Sequence, residues 1–154
     1  YLAMLDRCDD PGSARLRDLG VGGALAEAER LLEDVCPDLP ICLRTAAYVF
    51  LECGQPGRTE DLFRRVEEMA ETEFVSPLMR AQMHLLLRGD RKRALELLEE
   101  GLESRDAAMR WININAFRPL RGDPRYEAIV DQVGISRWEP WLAPHSEERP
   151  EKAP

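Results

Sequence analysis

Apolar side chains recur at steps of three and four residues along most of this chain, the spacing that places them on one face of a helix. Leu25, Ala28, Leu31, Leu32 and Val35 form a first stripe, and Cys36-Pro37-Asp38-Leu39-Pro40 stops it. Leu43, Ala46, Ala47, Phe50 and Leu51 form a second, which ends at Gly54. Leu62, Phe63, Val66, Met69 and Ala70 form a third. Ser76-Pro77 reads as an N-cap followed by a first helical residue, and Leu78, Ala81, Leu85 and Leu86 carry that helix to Gly89. Ala94, Leu95, Leu98, Gly101 and Leu102 make a two-sided stripe. Further on, Asp123 caps a helix with Pro124 in its first turn, Tyr126, Ile129, Val130 and Val133 facing inward, and Gly134 at its end. Trp111-Ile112-Asn113-Ile114-Asn115 alternates like a strand, but it is too short and isolated to build a sheet, and is expected to be a short helix or an extended connector.

The stripes repeat. Gly54 and Gly89 are 35 residues apart, and each is followed by an inward-facing helix. A period of this size marks stacked helical hairpins. The expected fold is therefore all-α: a right-handed α-α superhelix (solenoid) of about three hairpins with a C-terminal capping segment. The hairpins are placed near residues 12–40, 41–74 and 75–105, the cap at 106–142 and an acidic, disordered tail at 143–154. Trp138 and Trp141 are expected to fold back as a lid over the last hairpin.

Composition narrows the function. Apolar residues are 44% and charged residues 32%, as in a soluble helical protein. Net charge is −8, from 21 basic and 29 acidic side chains. Nucleic acids are bound largely through Lys and Arg on phosphates, so they are not expected as partners, and an anionic membrane surface is disfavoured for the same reason. No apolar run is long enough to span a bilayer, and no signal peptide is visible. The first residue is Tyr1 rather than Met, which reads as processing or excision from a longer protein. Cys8, Cys36, Cys42 and Cys53 form no CxxC pair, so zinc is not expected. Because the composition looks cytoplasmic, the cysteines are expected as small buried groups, in preference to a Cys36–Cys42 bridge across the Pro37–Pro40 turn.

The hairpins resemble the tetratricopeptide repeat family. Ala47, Phe50, Gly54, Phe63 and Val66 match its pattern in one copy, and Leu85, Gly89, Ala94, Leu98 and Gly101 in the next. Leu19, Gly23, Ala28, Leu32, Val35 and Pro40 form a weaker first copy, offset by 31 residues instead of about 34. Thr59 stands where the family packs an alanine, and Gln82 where it has a small residue. The stretch from Phe117 to Tyr126 looks like the closing segment of repeat arrays in bacterial regulatory proteins. The resemblance implies a module that binds proteins, carried by a larger regulator or free-standing.

In such arrays the first helix of each hairpin lines a concave groove. The matching positions are Arg44, Tyr48, Leu51 and Glu52 in one helix, and Met79, Arg80, Met83 and Leu87 in the next. The site expected from them is a mostly apolar groove of Arg44, Tyr48, Met79, Arg80, Met83 and Leu87 that takes an amphipathic helix or an extended apolar peptide. A methionine stripe at helical spacing is also what a core looks like, and for Met79 and Met83 that reading weighs more. The Lys and Asn of the family's clamp for terminal carboxylates are absent, so chaperone tails are not expected.

No catalytic residues, metal or cofactor are expected. His84 and His145 have no spaced partner for a nucleophile–base pair, and Gly20-Val21-Gly22-Gly23 lacks the Lys-Ser/Thr of a phosphate loop. Arg88-Gly89-Asp90 and Arg121-Gly122-Asp123 spell an adhesion tripeptide, but each reads as a helix end followed by a cap. Arg88, Arg91, Lys92 and Arg93 read as a solvated turn, with a docking spot for an acidic segment as the alternative, and Glu67-Glu68 and Glu99-Glu100 read as solvated acids on helix faces. The expected partner is a protein or peptide, with a homodimer as the alternative.

Overall fold

A computed structural model describes residues 20–36 and 38–134. These residues are all helical, with no strand among them. In chain order the helices are α1 (Gly20–Arg30), α2 (Pro40–Glu52), α3 (Pro56–Thr72), α4 (Pro77–Arg88), α5 (Arg91–Glu103) and α6 (Pro124–Val133). A single π turn, Leu31–Val35, follows α1, and two 3₁₀ turns, Ala107–Trp111 and Asn115–Leu120, join α5 to α6. Trp138, Trp141, His145, Cys8 and the acidic tail lie outside the described residues.

Local chemistry sets the helix ends. Ser76 Oγ accepts from the Met79 amide at the start of α4, and Pro77 occupies the first turn, where its missing N–H costs nothing. Gly89 ends α4 in the left-handed region, with φ 66°, a conformation that strains any side chain with a Cβ. Asp90 then caps α5 by accepting from the Arg93 amide at 3.0 Å. Asp123 does the same for α6, with Gly134 closing it at φ 77°. Both Arg-Gly-Asp tripeptides are thus helix punctuation. The first stripe differs from its expected form: the helix stops at Arg30, and the π turn shifts Leu31 and Leu32 off the register of α1.

Two hairpins pack most closely, α2 with α3 and α4 with α5. Apolar side chains form two cores. The first gathers Ala24 and Ala28 of α1, Leu43, Ala46, Ala47 and Phe50 of α2, Leu62, Phe63 and Val66 of α3, and then Met79 and Met83 of α4. The second takes the other side of α4 (Leu78, Ala81, Leu85) against Ala94, Leu95, Leu97 and Leu98 of α5. It continues through the 3₁₀ turns into Tyr126, Ile129 and Val130 of α6. Helix α4 is therefore buried on both flanks, and even its Gln82 and His84 are buried.

Close approach has sequence requirements. A Cβ on Gly101 would lie 2.8 Å from Met109 Sδ and 3.4 Å from Pro77 Cβ, so glycine lets α5 meet the start of α4 and the first 3₁₀ turn. Ala94 is fully buried in the α4–α5 seam. Ala94→Leu is expected to overpack that seam and cost about 2 kcal/mol, read as a lowered thermal melt; an unchanged melt would contradict the seam. Thr59, standing where a small residue is expected, is buried and its hydroxyl is shared between the Gln55 carbonyl at 3.2 Å and the Ala47 carbonyl at 3.3 Å. It spans the α2–α3 hairpin without an unpaired polar group.

The expectation of unbridged cysteines is corrected: Cys36 and Cys42 form a disulfide, with Cα atoms 6.2 Å apart. The bridge closes the turn between the π segment and α2. By chain entropy a loop this short contributes roughly 2 kcal/mol. Cys53, half-buried at the end of α2, is the cysteine among the described residues that stands outside a disulfide, and burial pushes its pKa up. No described helix is long and apolar enough to cross a membrane.

Candidate binding groove

A cavity of about 720 Å³ opens between the first helices of the two hairpins. One side is the start of α2: Leu39, Ile41, Arg44 and Tyr48. The other is α4, through Leu78, Met79, Gln82 and Leu86. Phe74 and Val75, from the connector before α4, and Trp111 and Ile114, from the 3₁₀ region, complete it.

These pieces come from distant parts of the chain, and specific bonds hold them together. The Ser76 hydroxyl donates to Asp106 Oδ2 at 2.5 Å, and Asp106 Oδ1 accepts from the Ala108 amide at 2.9 Å. One carboxylate thereby ties the connector carrying Phe74 to the turn carrying Trp111. The Tyr126 hydroxyl donates to the Ile112 carbonyl at 2.8 Å, anchoring the same turn to α6. That tyrosine is buried, and desolvation pushes its pKa up to about 12.

The rim is apolar and open to solvent. Leu39 is 55% exposed, Ile41 50%, Phe74 75% and Trp111 55%. These four are the exposed large hydrophobic side chains among the described residues, and every one of them lines this cavity. Exposed apolar side chains scattered singly are ordinary; here all four gather around one concavity, which makes it the candidate site.

Polar chemistry in the cavity centres on Arg44. Its Nη1 donates to Gln82 Oε1 at 2.6 Å, and the guanidinium carbon lies 5.8 Å from the centre of the Tyr48 ring. Gln82 is itself buried, so the amide that departs from the repeat pattern is the group that orients the arginine. Arg44 Nε is shielded from solvent and has no hydrogen-bond partner.

Of the six residues expected to line a groove, Arg44, Tyr48 and Met79 are brought together here. Arg80, Met83 and Leu87 are not. Met83 is 1% exposed and belongs to the first core, the reading that weighed more for it than the groove. Leu87 is half-buried against that core. Leu51 and Glu52 are half-buried and do not line the cavity. Leu39, Ile41, Phe74, Trp111 and Gln82 were not legible as groove residues. The signals available were the two large apolar side chains flanking Pro40 and a glutamine in an otherwise apolar stripe.

Arg80 serves a different purpose. Its Nε and Nη2 grip Glu67 of α3 at 2.9 and 2.7 Å, clasping the two hairpins. Glu67, expected as a solvated acid, is therefore a clasp residue. Burial alone would raise its pKa, but the hydrogen bonds and charge of Arg80, with His84 beside them, outweigh burial and hold the carboxyl down at about 2. His84 Nε2 lies 3.7 Å from the same carboxylate, too far for a direct hydrogen bond, and its ring meets Phe63 edge-on with centroids 4.9 Å apart. A carboxyl depressed in the fold binds its proton more readily when unfolded, so its stabilisation is present above the ordinary carboxylate pKa and is lost as pH falls towards 2. Thermal melts between pH 5 and pH 2 are expected to fall less steeply for Glu67→Gln than for the wild type; identical slopes would remove the clasp.

The remaining charges decorate the outside. Arg88 pairs with Glu60 and lies over the Phe63 ring, and Arg125 of α6 grips Glu99 of α5 through Nε and Nη2 at 2.9 and 2.8 Å. Lys92 and Arg93 both face Glu96. No family model matches the chain, and no curated protein or solved structure matches it.

Proposed function

We propose that this chain is a non-catalytic binding module of the tetratricopeptide type, a right-handed stack of helical hairpins whose groove takes an apolar peptide or helix from a protein partner. The observation that carries the reading is the gathering of Leu39, Ile41, Phe74 and Trp111 around one cavity of about 720 Å³. An amphipathic segment laying its apolar face into such a cavity buries exposed surface at about 25 cal/mol per Å². The walls are held by Asp106 and by the hairpin packing, so little ordering cost falls on the groove when it binds. Membership of a larger regulatory protein, implied by the closing segment, belongs to the same proposal. The Cys36–Cys42 bridge weighs against a cytoplasmic setting, because such bridges persist in oxidising compartments.

Short random peptides displayed on phage and selected on the protein test this. Selected peptides are expected to be apolar, and Trp111→Ala is expected to weaken them about tenfold while leaving stability within about 0.5 kcal/mol. Peptides indifferent to both Trp111→Ala and Phe74→Ala would sink the reading. Self-association would cover the same four side chains; a mass that rises with concentration by light scattering would replace the groove with a dimer interface.

A further inference from the structure

We infer that the groove recognises one carboxylate, an Asp or Glu side chain within an otherwise apolar peptide segment, and that Arg44 receives it. The inference rests on the peptide-binding reading above and names the chemistry of the partner.

Three arginines among the described residues are half-buried: Arg44, Arg80 and Arg93. Arg80 is paired with Glu67 and Arg93 with Glu96. Arg44 faces no carboxylate among the described residues: it donates to the neutral amide oxygen of Gln82 and lies beside the Tyr48 ring. A half-buried guanidinium stays charged, and a charge withdrawn from water is stabilised by a counter-charge more than by a single neutral acceptor.

The geometry of the unused donors is specific. Arg30, Arg80 and Arg125 each hold their carboxylate with the same side-on edge, Nε together with Nη2. In Arg44, Nη1 is taken by Gln82 and Nε is unpaired, so this edge carries no carboxylate. With this edge rotated toward the cavity that Arg44 lines, a ligand carboxylate would satisfy Nε–H and Nη2–H together. Leaving a buried donor unmade is costly, so the rotation is favoured once an acceptor arrives.

The partner's character follows from the surroundings. Apart from Arg44, the cavity is lined mainly by Leu, Ile, Met, Tyr, Phe and Trp side chains, and the chain as a whole carries a net charge of −8. A run of acids would be repelled by that net charge and would leave carboxylates unpaired on an apolar surface, whereas a single one is matched. Reaching rim side chains that come from three separate elements requires a segment that continues past the carboxylate. This places the acid inside the segment instead of at its end.

The experiment uses the phage-selected peptide, synthesised with a fluorescent label and titrated by anisotropy. Four peptides are compared on the wild-type chain and on Arg44→Gln: the parent, its Glu→Gln (or Asp→Asn) version, its C-terminal amide and both changes together. Replacing the acid is expected to weaken binding about tenfold on the wild type and less than about twofold on Arg44→Gln, with the C-terminal amide neutral on both. Equal affinity of acid and amide peptides for the wild type overturns the inference, and the groove reading survives if Trp111→Ala still weakens both. A tenfold loss on C-terminal amidation alone also overturns it, since the carboxylate read is then a chain end. Failure of Trp111→Ala and Phe74→Ala to affect any selected peptide removes the groove, and the inference with it. The ligand-side comparison needs no protein variant, so it decides the matter even if Arg44→Gln does not fold.

Discussion

Phe117→Ala is expected to cost about 4 kcal/mol and to lower the melting temperature of the whole chain by roughly 12 °C. Phe117 is fully buried in the second core, where its ring lies 6.4 Å from that of Tyr126, and Leu97, Leu98, Ile112 and Leu120 belong to the same cluster. Truncation removes the ring's transfer energy and leaves a void that fixed helices on several sides cannot close. The substitution also asks what the C-terminal segment is. Read from the sequence, residues 106–142 are a cap on a finished array. In the fold, Met109, Ile112, Phe117, Leu120, Tyr126, Ile129 and Val130 supply much of the core that α4 and α5 share. A cap of minor importance could fray while the hairpins stayed folded. Here, a single cooperative transition at lower temperature is expected by circular dichroism. A shift of less than about 3 °C, or a separate early transition, would show that the segment is loosely attached.

Met83→Ala is expected to cost about 3 kcal/mol while changing the affinity of a groove peptide by less than about twofold. Met83 is one of the six positions that repeat logic assigns to a groove, yet it is 1% exposed and packs in the first core. Its neighbour one turn away, Met79, is also buried but lines the cavity. The pair therefore separates the two roles on one helix. A drop in the urea midpoint with unchanged peptide affinity supports the placement of Met83 between the hairpins. Weakened binding without loss of stability would put Met83 back in the groove and displace Trp111 as the rim.

Helix ends were the most legible part of the chain. Ser76-Pro77, Gly89-Asp90, Asp123-Pro124 and Gly134 act through their own backbone or through amides two or three residues away, so their meaning needs no distant neighbour. Apolar stripes were nearly as legible, because Leu62, Phe63 and Val66, or Ala94, Leu95 and Leu98, share a helix face by geometry alone. The exception was the stretch after Ala28, where a π turn shifts the register that a 3.6-residue period assumes.

The candidate site was half legible. Arg44, Tyr48 and Met79 follow from periodicity, since groove-facing positions recur with the hairpins. The rim does not, because Phe74 sits in a connector and Trp111 in a 3₁₀ turn, where no period operates. Their convergence depends on Asp106 joining Ser76 to Ala108 across a sequence separation of 30 residues.

By itself, then, the sequence determined where most of the helices begin and end, and that they pair. It could do so because propensity, capping and periodicity act over a few residues. Tertiary structure decided which acids are clasps and which are solvated, so that Glu67 left the solvent for Arg80. It also decided that α4 is covered on both flanks, that Cys36 meets Cys42, and that Arg44 is held by Gln82 with its side-on edge unfilled. Each of these depends on what a second helix brings to the same place. A side chain's environment is set by neighbours far away in sequence, and local spacing carries no record of them.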